Sequence, residues 1–294
     1  SVGTQRIFLP YANTYTGGTI LGSGTANTGI VLLGDAGALG TGTVTARGAQ
    51  IWSDVPDLEI SNNFLVGTGT NGGLCFGGTN NISLTGSITV NDNSSRPFQN
   101  SGTGLITLSG ISVNAGTGST ATFGSGTAKG PFTVTGPITG VGKVTVNGGT
   151  VTLPGASSYT GATTISQSGR LHLTGSLTSA LVMSGASASI SGNGSTTGSL
   201  TTSGASGGTI LLDTANPTSA LTVNGAIFNG PTKVELNSQQ ALGSTVYTVL
   251  NYTTTLTNLA NLSSSNSRGT FANDTVNKKI TFTASSENRT WNHA

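Results

Sequence analysis

Hydrophobic positions recur along the chain in very short alternating sets, each closed by Gly or Asn. Thr43-Val44-Thr45, Ile82-Ser83-Leu84, Ile88-Thr89-Val90, Leu105 to Leu108 and Ile111-Ser112-Val113 are examples. The series continues through Phe132-Thr133-Val134, Val144-Thr145-Val146, Val151-Thr152-Leu153, Leu171-His172-Leu173 and Leu221-Thr222-Val223. A strand has period two, so most of these sets place two apolar side chains on one face and a Thr, Ser or His on the other. Nowhere do apolar residues recur at helical spacing over three turns without Gly, Thr or Ser interrupting, and no helix is predicted. The closing Gly and Asn are expected to supply the positive φ of sharp corners.

Strands this short cannot form a stable isolated sheet. They gain stability when each stacks on the next turn of the same coil, which builds long parallel sheets from many brief pieces. The pattern therefore predicts an all-β chain, a parallel β-helix (β-solenoid) over residues 1–245. With roughly 20–25 residues per coil the chain makes about 12 coils, a rod of roughly 60 Å. From residue 246 the pattern changes. Val246 to Tyr252, Gly269 to Asn273 and Lys278 to Ala284 read as longer strands, the last two joined by Asp274 to Asn277, and charge rises. Residues 246–294 are expected to form capping strands and a tail, an antiparallel hairpin covering the open end of the rod, where bare edges would aggregate.

An internal repeat accompanies this pattern. Leu9-Pro10-Tyr11-Ala12-Asn13-Thr14-Tyr15-Thr16-Gly17 matches Leu153-Pro154-Gly155-Ala156-Ser157-Ser158-Tyr159-Thr160-Gly161 without a gap, at an offset of 144 with six identities in nine. Tyr15 and Tyr159 are expected to fold over a corner, ring packed on the adjacent coil and hydroxyl in water.

Composition narrows the function classes. The 294 residues include 46 Gly, 51 Thr and 36 Ser, while charged residues make up 7%. The surface must be wetted by hydroxyls and amides, since an average soluble protein carries about 25% charge. Net charge is only +2 and Pro is scarce at 8, so the chain lacks the composition of a disordered one. Eleven basic residues against nine acidic ones leave no electrostatic footprint for nucleic acid. The longest wholly apolar run, Ile30 to Leu33, is far short of the roughly 20 residues of a membrane-spanning helix. Ser1 begins no signal-peptide pattern, which is read as a targeting segment absent or already removed. Cys75 lies between Leu74 and Phe76 and reads as a small core residue.

Two segments carry a family pattern. Gly142 to Gly175, GKVTVNGGTVTLPGASSYTGATTISQSGRLHLTG, closely resembles the autotransporter-associated β-strand repeat, also called the passenger-associated transport repeat. Asn13 to Thr45 is similar to a second copy, with its Gly-Asp-Ala-Gly-Ala-Leu-Gly stretch, and departs from it at Ser23 to Thr28. Tyr247 to Phe282 resembles the strands that close such arrays, and Arg289-Thr290-Trp291-Asn292 resembles the opening of a further module. The clear repeat matches cover about a quarter of the chain. The resemblance implies a right-handed β-helix exported to the bacterial surface, as in adhesins and fibres, and brings no catalytic motif.

The inventory for catalysis is thin. His172 and His293 are the only histidines. His172 alternates with two leucines and is expected to project outward into solvent, and His293, next to last, is expected to be mobile. Asp54, Asp57 and Glu59 form the best acidic cluster; Asp57 and Glu59, two apart, would share a strand face and could act as a carboxylate pair or bind Ca²⁺. The plainer reading is a solvated turn and strand edge. Gly67 to Gly73 is a compositional echo of a phosphate loop, without the following Lys and helix. Sequons at Asn81, Asn93, Asn193, Asn251, Asn261, Asn273 and Asn288 are expected by chance in so Asn- and Thr-rich a chain, and Trp52 and Trp291 are too few and too far apart for a sugar-stacking platform. No catalytic, cofactor-binding or metal-binding residue and no cofactor is assigned, and the chain is read as not an enzyme.

The leading expectation is a structural subunit of an extracellular bacterial surface fibre or filament. Its rods would self-associate head to tail, and Ser1 to Pro10 or Ser285 to Ala294 would complete a neighbour's sheet as an added strand. The alternatives are an adhesin or passenger-type stalk that binds surface glycans or neighbouring cells, and a polysaccharide-degrading β-helix enzyme using Asp57 and Glu59.

Overall fold

Most strands are two to four residues long and find their hydrogen-bond partners about 18 to 30 residues away, in the neighbouring coil. A computed structural model describes residues 5–24, 29–67, 72–205, 207–237, 245–264 and 269–284. Apart from a single 3-10 turn, Leu259–Asn261, the regular structure there is all β. The chain winds as a parallel β-solenoid that visits three faces in a fixed order. The first face is a twelve-stranded sheet from Arg6–Leu9 to Leu256–Thr257, and the second a ten-stranded sheet from Leu58–Ile60 to Leu262–Ser263. The third face is split into a six-stranded sheet, Thr19–Leu21 to Ile138–Thr139, and a seven-stranded one that starts at Ala156–Ser157. Eleven spacings of about 4.8 Å make the longest face about 53 Å tall.

The predicted strands fall where the pattern put them. Ile82–Leu84, Ile88–Val90 and Phe132–Val134 are strands whose outer residues are buried and whose central residue faces out. On the second face the inward positions form one unbroken apolar column, Leu58, Ile82, Ile106, Phe132, Val151, Leu171, Ile190, Ile210 and Val234, each at most 4% exposed. The outward positions beside them, Thr107, Thr133, Thr152, His172 and Ser191, form a column of polar side chains.

Coil circumference follows side-chain size. Steps along the first face are 23 to 25 residues through most of the N-terminal half, as in Leu74↔Phe98, Ser95↔Thr120 and Thr120↔Lys143. There the interior is filled by Phe64, Phe76, Phe98, Phe123 and Phe132, all fully buried, with Phe123 5.2 Å from the rings of both Phe98 and Phe132. Between residues 143 and 200 the step falls to 18 or 19, and this stretch contains no Phe. Phe228 returns with the wide coils that follow, where the step rises to 26 and 30. The narrow coils bury a single ring, Tyr159, at the seam of the third face, whereas a wide coil without rings would leave a void.

Two expectations are corrected. Corner Asn residues do not act through positive φ: Asn258 is the only Asn with one among the described residues. They work through their side chains, which bond the backbone of the adjacent coil. Asn62 Nδ2 donates to Gly40 O (2.9 Å) and Gly42 O (2.8 Å), Asn63 Oδ1 accepts from Ser87 N (2.9 Å), and Asn81 Oδ1 accepts from Leu105 N (2.8 Å). Positive φ is left mostly to Gly, as at Gly40 (φ 68°), where a Cβ would also strike the Tyr15 ring at 2.5 Å. Hydroxyls, in turn, are not confined to the outer face. Thr202 and Thr232 are fully buried, and Thr232 Oγ1 donates to Thr202 Oγ1 at 2.9 Å.

The hairpin Gly269–Asp274 and Lys279–Ala284 is antiparallel as expected. It fits the expected cap as an extension of the third face: Lys279–Ala284 pairs antiparallel with Val246–Tyr252, which itself stacks parallel on Thr222–Val223. Parallel stacking also continues past residue 245, through Leu256–Thr257 and Leu262–Ser263. Phe123→Ala should cost about 3–5 kcal/mol in chemical denaturation, whereas Thr133→Ala, at an outward position, should stay within about 0.5 kcal/mol.

Candidate functional site

Three surfaces carry exposed or convergent groups: the N-terminal end, the C-terminal end and one groove on the side. At the N-terminal end the edge strands are Arg6–Leu9 on the first face and Thr19–Leu21 on the third. Ile7 is 60%, Phe8 50%, Tyr11 78% and Ile20 64% exposed, because nothing described stacks beneath them. Arg6 lies over the Trp52 ring at 4.8 Å, and Trp52 Nε1 donates to Gln50 Oε1 at 2.7 Å. At the C-terminal end the third face stands one strand taller than the other two, because Lys279–Ala284 is inserted between Val246–Tyr252 and Gly269–Asp274.

The groove, of about 570 Å³, lies where the second face turns toward the third. In the two coils before it that corner takes two residues, 174–175, and then three, 192–194; after Thr209–Leu212 it takes nine, 213–221. The longer segment overhangs its shorter neighbours as a shelf. Asp213 organises the shelf: its carboxylate accepts from Asn216 Nδ2 (2.7 Å), Ala215 N (3.0 Å) and Asn237 Nδ2 (3.2 Å). Thr248 N donates to Pro217 O (2.7 Å) and ties the shelf to the third face. The other wall carries His172, half-buried, with Nδ1 2.9 Å from Ser191 Oγ. His172 thus projects outward as expected, into this groove and not into open solvent.

Asp57 is not on the strand that carries Glu59. Asp57 has φ 50° and sits in the turn before the strand Leu58–Ile60, so strand alternation does not carry it onto the face of Glu59. Its Oδ1 accepts from Asn81 Nδ2 at 2.8 Å. Asp54 is exposed in the same corner. Cys75 is buried in the core. Gly67 is followed, after residues 68–71, by Gly72, Gly73 and the strand Leu74–Phe76, with no helix there. His293, Trp291, Asn288 and the tail Ser285 to Ala294 lie outside the described residues, as do Ser1 to Thr4 and residues 25–28 of the predicted insertion. Among the described residues no three His, Cys, Asp or Glu side chains converge as metal ligands would, and no helix is long and apolar enough to cross a membrane.

The pattern did not single out a buried ion pair. Arg96 occupies an inward position on the strand Ser95–Asn100 and is 6% exposed, with Nε 2.9 Å from Asp92 Oδ1 and a second contact from its Nη2 to Asp92 Oδ2. The only signal in the sequence is the Asp-x-x-x-Arg spacing. The two copies of the repeat also diverge. Both tyrosine hydroxyls bond the Thr four residues on, Tyr15 to Thr19 at 2.9 Å and Tyr159 to Thr163. Tyr15, near the open end, is 43% exposed and keeps the wet hydroxyl expected of it, whereas Tyr159 is fully buried and its hydroxyl is dry. Tyr159 sits at the seam of the third face, where Ser157 Oγ accepts from Ile138 N (3.0 Å) and Thr163 Oγ1 continues to Ser179 Oγ (2.6 Å).

Burial raises the Tyr159 phenol above its ordinary value near 10, against the lowering effect of hydrogen bonds with Ser179 and Thr163. The fold therefore favours the neutral phenol, and this contribution is fully present below pH 10.0 and is lost as pH rises beyond it. Asp213 is held below its ordinary 3.8 by the hydrogen bond from Asn216 first, then by the Ala215 N–H and Asn237, and Asp274 by the Asn277 side chain and then its N–H. Their contribution is present above pH 3.8 and is lost as pH falls through the lowered values. Melting temperature against pH should form a plateau between those limits, and Tyr159→Phe should flatten the alkaline limb alone.

Comparison of the chain with protein-family models, with curated proteins and with solved structures finds no match.

Proposed function

We propose that the chain is a structural subunit of an exported bacterial surface fibre or filament, a β-solenoid rod that associates end to end. The observation that carries this reading is the N-terminal end. Two edge strands there present backbone groups that are unpaired among the described residues, together with exposed Ile7, Phe8 and Ile20, apolar side chains that gain stability when another layer of strands covers them. The Thr19–Leu21 edge carries none of the Pro or charged residues that blunt strand edges elsewhere, whereas Arg6–Leu9 has Arg6 at its start and Pro10 just after it. At the opposite end the short strands Leu256–Thr257 and Leu262–Ser263 are also unpaired on their outer side among the described residues.

The step at the C-terminal end shapes the junction. One copy stacked coaxially on another meets it first at the third face, which leaves a slot about one strand spacing, about 4.8 Å, deep over the other two. An added strand from either chain fits such a slot, which is how donated strands complete sheets elsewhere. Because the contact is heterologous and does not close, it propagates as a filament. The low charge supports the same role, since a hydroxyl surface changes little with salt or pH. The resemblance of Gly142 to Gly175 to the autotransporter-associated repeat supports an extracellular, cell-surface setting. Asp57, held in a turn against Asn81, favours a non-enzymatic role over glycan cleavage by Asp57 and Glu59.

Phe8→Asp combined with Ile20→Asp should abolish or strongly retard fibre growth followed by electron microscopy, while leaving the melting temperature of the rod within a few degrees. Fibres that grow equally well from this variant, or purified chain that stays as single short rods at high concentration, would remove the end-to-end reading.

A further inference from the structure

The groove beside His172 has a chemistry of its own, and it does not depend on whether rods join end to end. Its volume of about 570 Å³ falls in the range of about 300–1,000 Å³ typical of small-molecule sites. Its floor is apolar, with Leu211 half-buried at an outward strand position and Leu212, Leu221 and Val249 buried behind it. Its walls are polar and almost uncharged: His172 and Ser191 on one side, Asp213, Asn216 and Asn237 on the other, and Asn193 at the rim.

Several ligand classes do not suit these walls. Among the described residues no Lys or Arg lines the groove, so a phosphate or nucleic acid would meet only the carboxylate of Asp213. One carboxylate, already accepting three hydrogen bonds, is too few for a divalent cation. The strands Arg170–Leu173, Ser189–Ser191 and Thr209–Leu212 are paired on both sides, so no free backbone edge is present for an extended peptide. What remains is a ligand that donates and accepts hydrogen bonds, carries no charge and has an apolar flank. Among the described residues His172 Nε2 has no hydrogen-bond partner, and the Asp213 carboxylate sits beside the amides of Asn216 and Asn237, an acceptor next to donors that matches neighbouring hydroxyls. Leu211 offers a surface for the C–H face of a ring.

We propose that this groove is a binding site for a short neutral oligosaccharide, with His172, Asp213 and Asn237 as its polar contacts and Leu211 as its floor. Among the described residues no aromatic side chain lines the groove, so binding is weak, in about the millimolar range. The shelf is built by the nine-residue corner 213–221, so the site exists once along the described rod.

The test is an NMR titration of the intact chain with cellotriose, maltotriose and, as the cationic comparison, the glucosamine trimer. With only two histidines in the chain, the His172 ring signals are assigned by comparison with His172→Gln. The expected result is a saturable shift of those signals with at least one neutral trisaccharide, weakened about tenfold or more in Asp213→Ala. Asp213→Ala also loosens the shelf, so Leu211→Lys provides the second variant: it fills the floor from a strand, should keep the melting temperature and should abolish the shift. Absence of a saturable shift up to about 20 mM of either neutral sugar, a shift that survives Leu211→Lys, or a preference for the cationic trimer would each overturn the proposal.

Discussion

Backbone hydrogen bonds in this molecule run along the rod, from each coil to the next, and the rest of the structure depends on that direction. A strand such as Ile106–Leu108 makes no ladder with its sequence neighbours; its partners are Ile82–Leu84 below and Phe132–Val134 above. Three residues are too few to hold a sheet alone, yet adequate when both edges are paired and both end residues are buried. Stability is therefore shared between coils, in the nearest-neighbour manner of repeat proteins. Within this constraint the corners are free to vary, and coil steps of 18 to 30 residues coexist in one continuous stack.

That freedom explains both the interior and the surface. Wide coils are filled with phenylalanine rings and narrow ones with Leu, Ile, Val and Met beside the single ring of Tyr159, so the changing circumference leaves the core continuous. Where the third face breaks, at Ile138–Thr139 and Ala156–Ser157, a hydroxyl replaces a backbone acceptor and Tyr159 fills the seam. Where a corner lengthens abruptly, at 213–221, the excess chain becomes a shelf and the groove appears beneath it. The seam and the groove thus sit at irregularities of the stack, while the regular coils supply its length.

The same logic separates what the sequence made legible from what it did not. Alternation within a triplet depends only on adjacent residues, so the strands, their inward faces and the absence of α-helix could be read directly. Relations between coils could not. Whether Tyr15 or Tyr159 is wet depends on which coils cover it, and the two copies of one repeat differ for that reason. The corner asparagines bond carbonyls and amides some 20 to 25 positions away, a distance that depends on the step of that coil. Thr202 and Thr232 look like outer-face residues until stacking brings their hydroxyls together inside. Asp57 was misplaced because a left-handed residue ends the alternation one position before the strand. The groove draws on four successive coils and has no signature within any one of them.

The central claim is that one coil is the unit of stability and that its partners are its neighbours in the stack. The pairing of Leu181 with Leu200 defines a coil of 19 residues, so deleting 181–199 removes one whole coil and joins Ala180 to Leu200. The account predicts that this chain still folds cooperatively, with strand-rich circular dichroism and a rod shorter by about 4.8 Å in solution scattering. Deleting only the first nine of those residues, 181–189, should unfold the C-terminal half, because every later inward side chain loses its register. Equal tolerance of the two deletions, or unfolding by the whole-coil deletion alone, would contradict it.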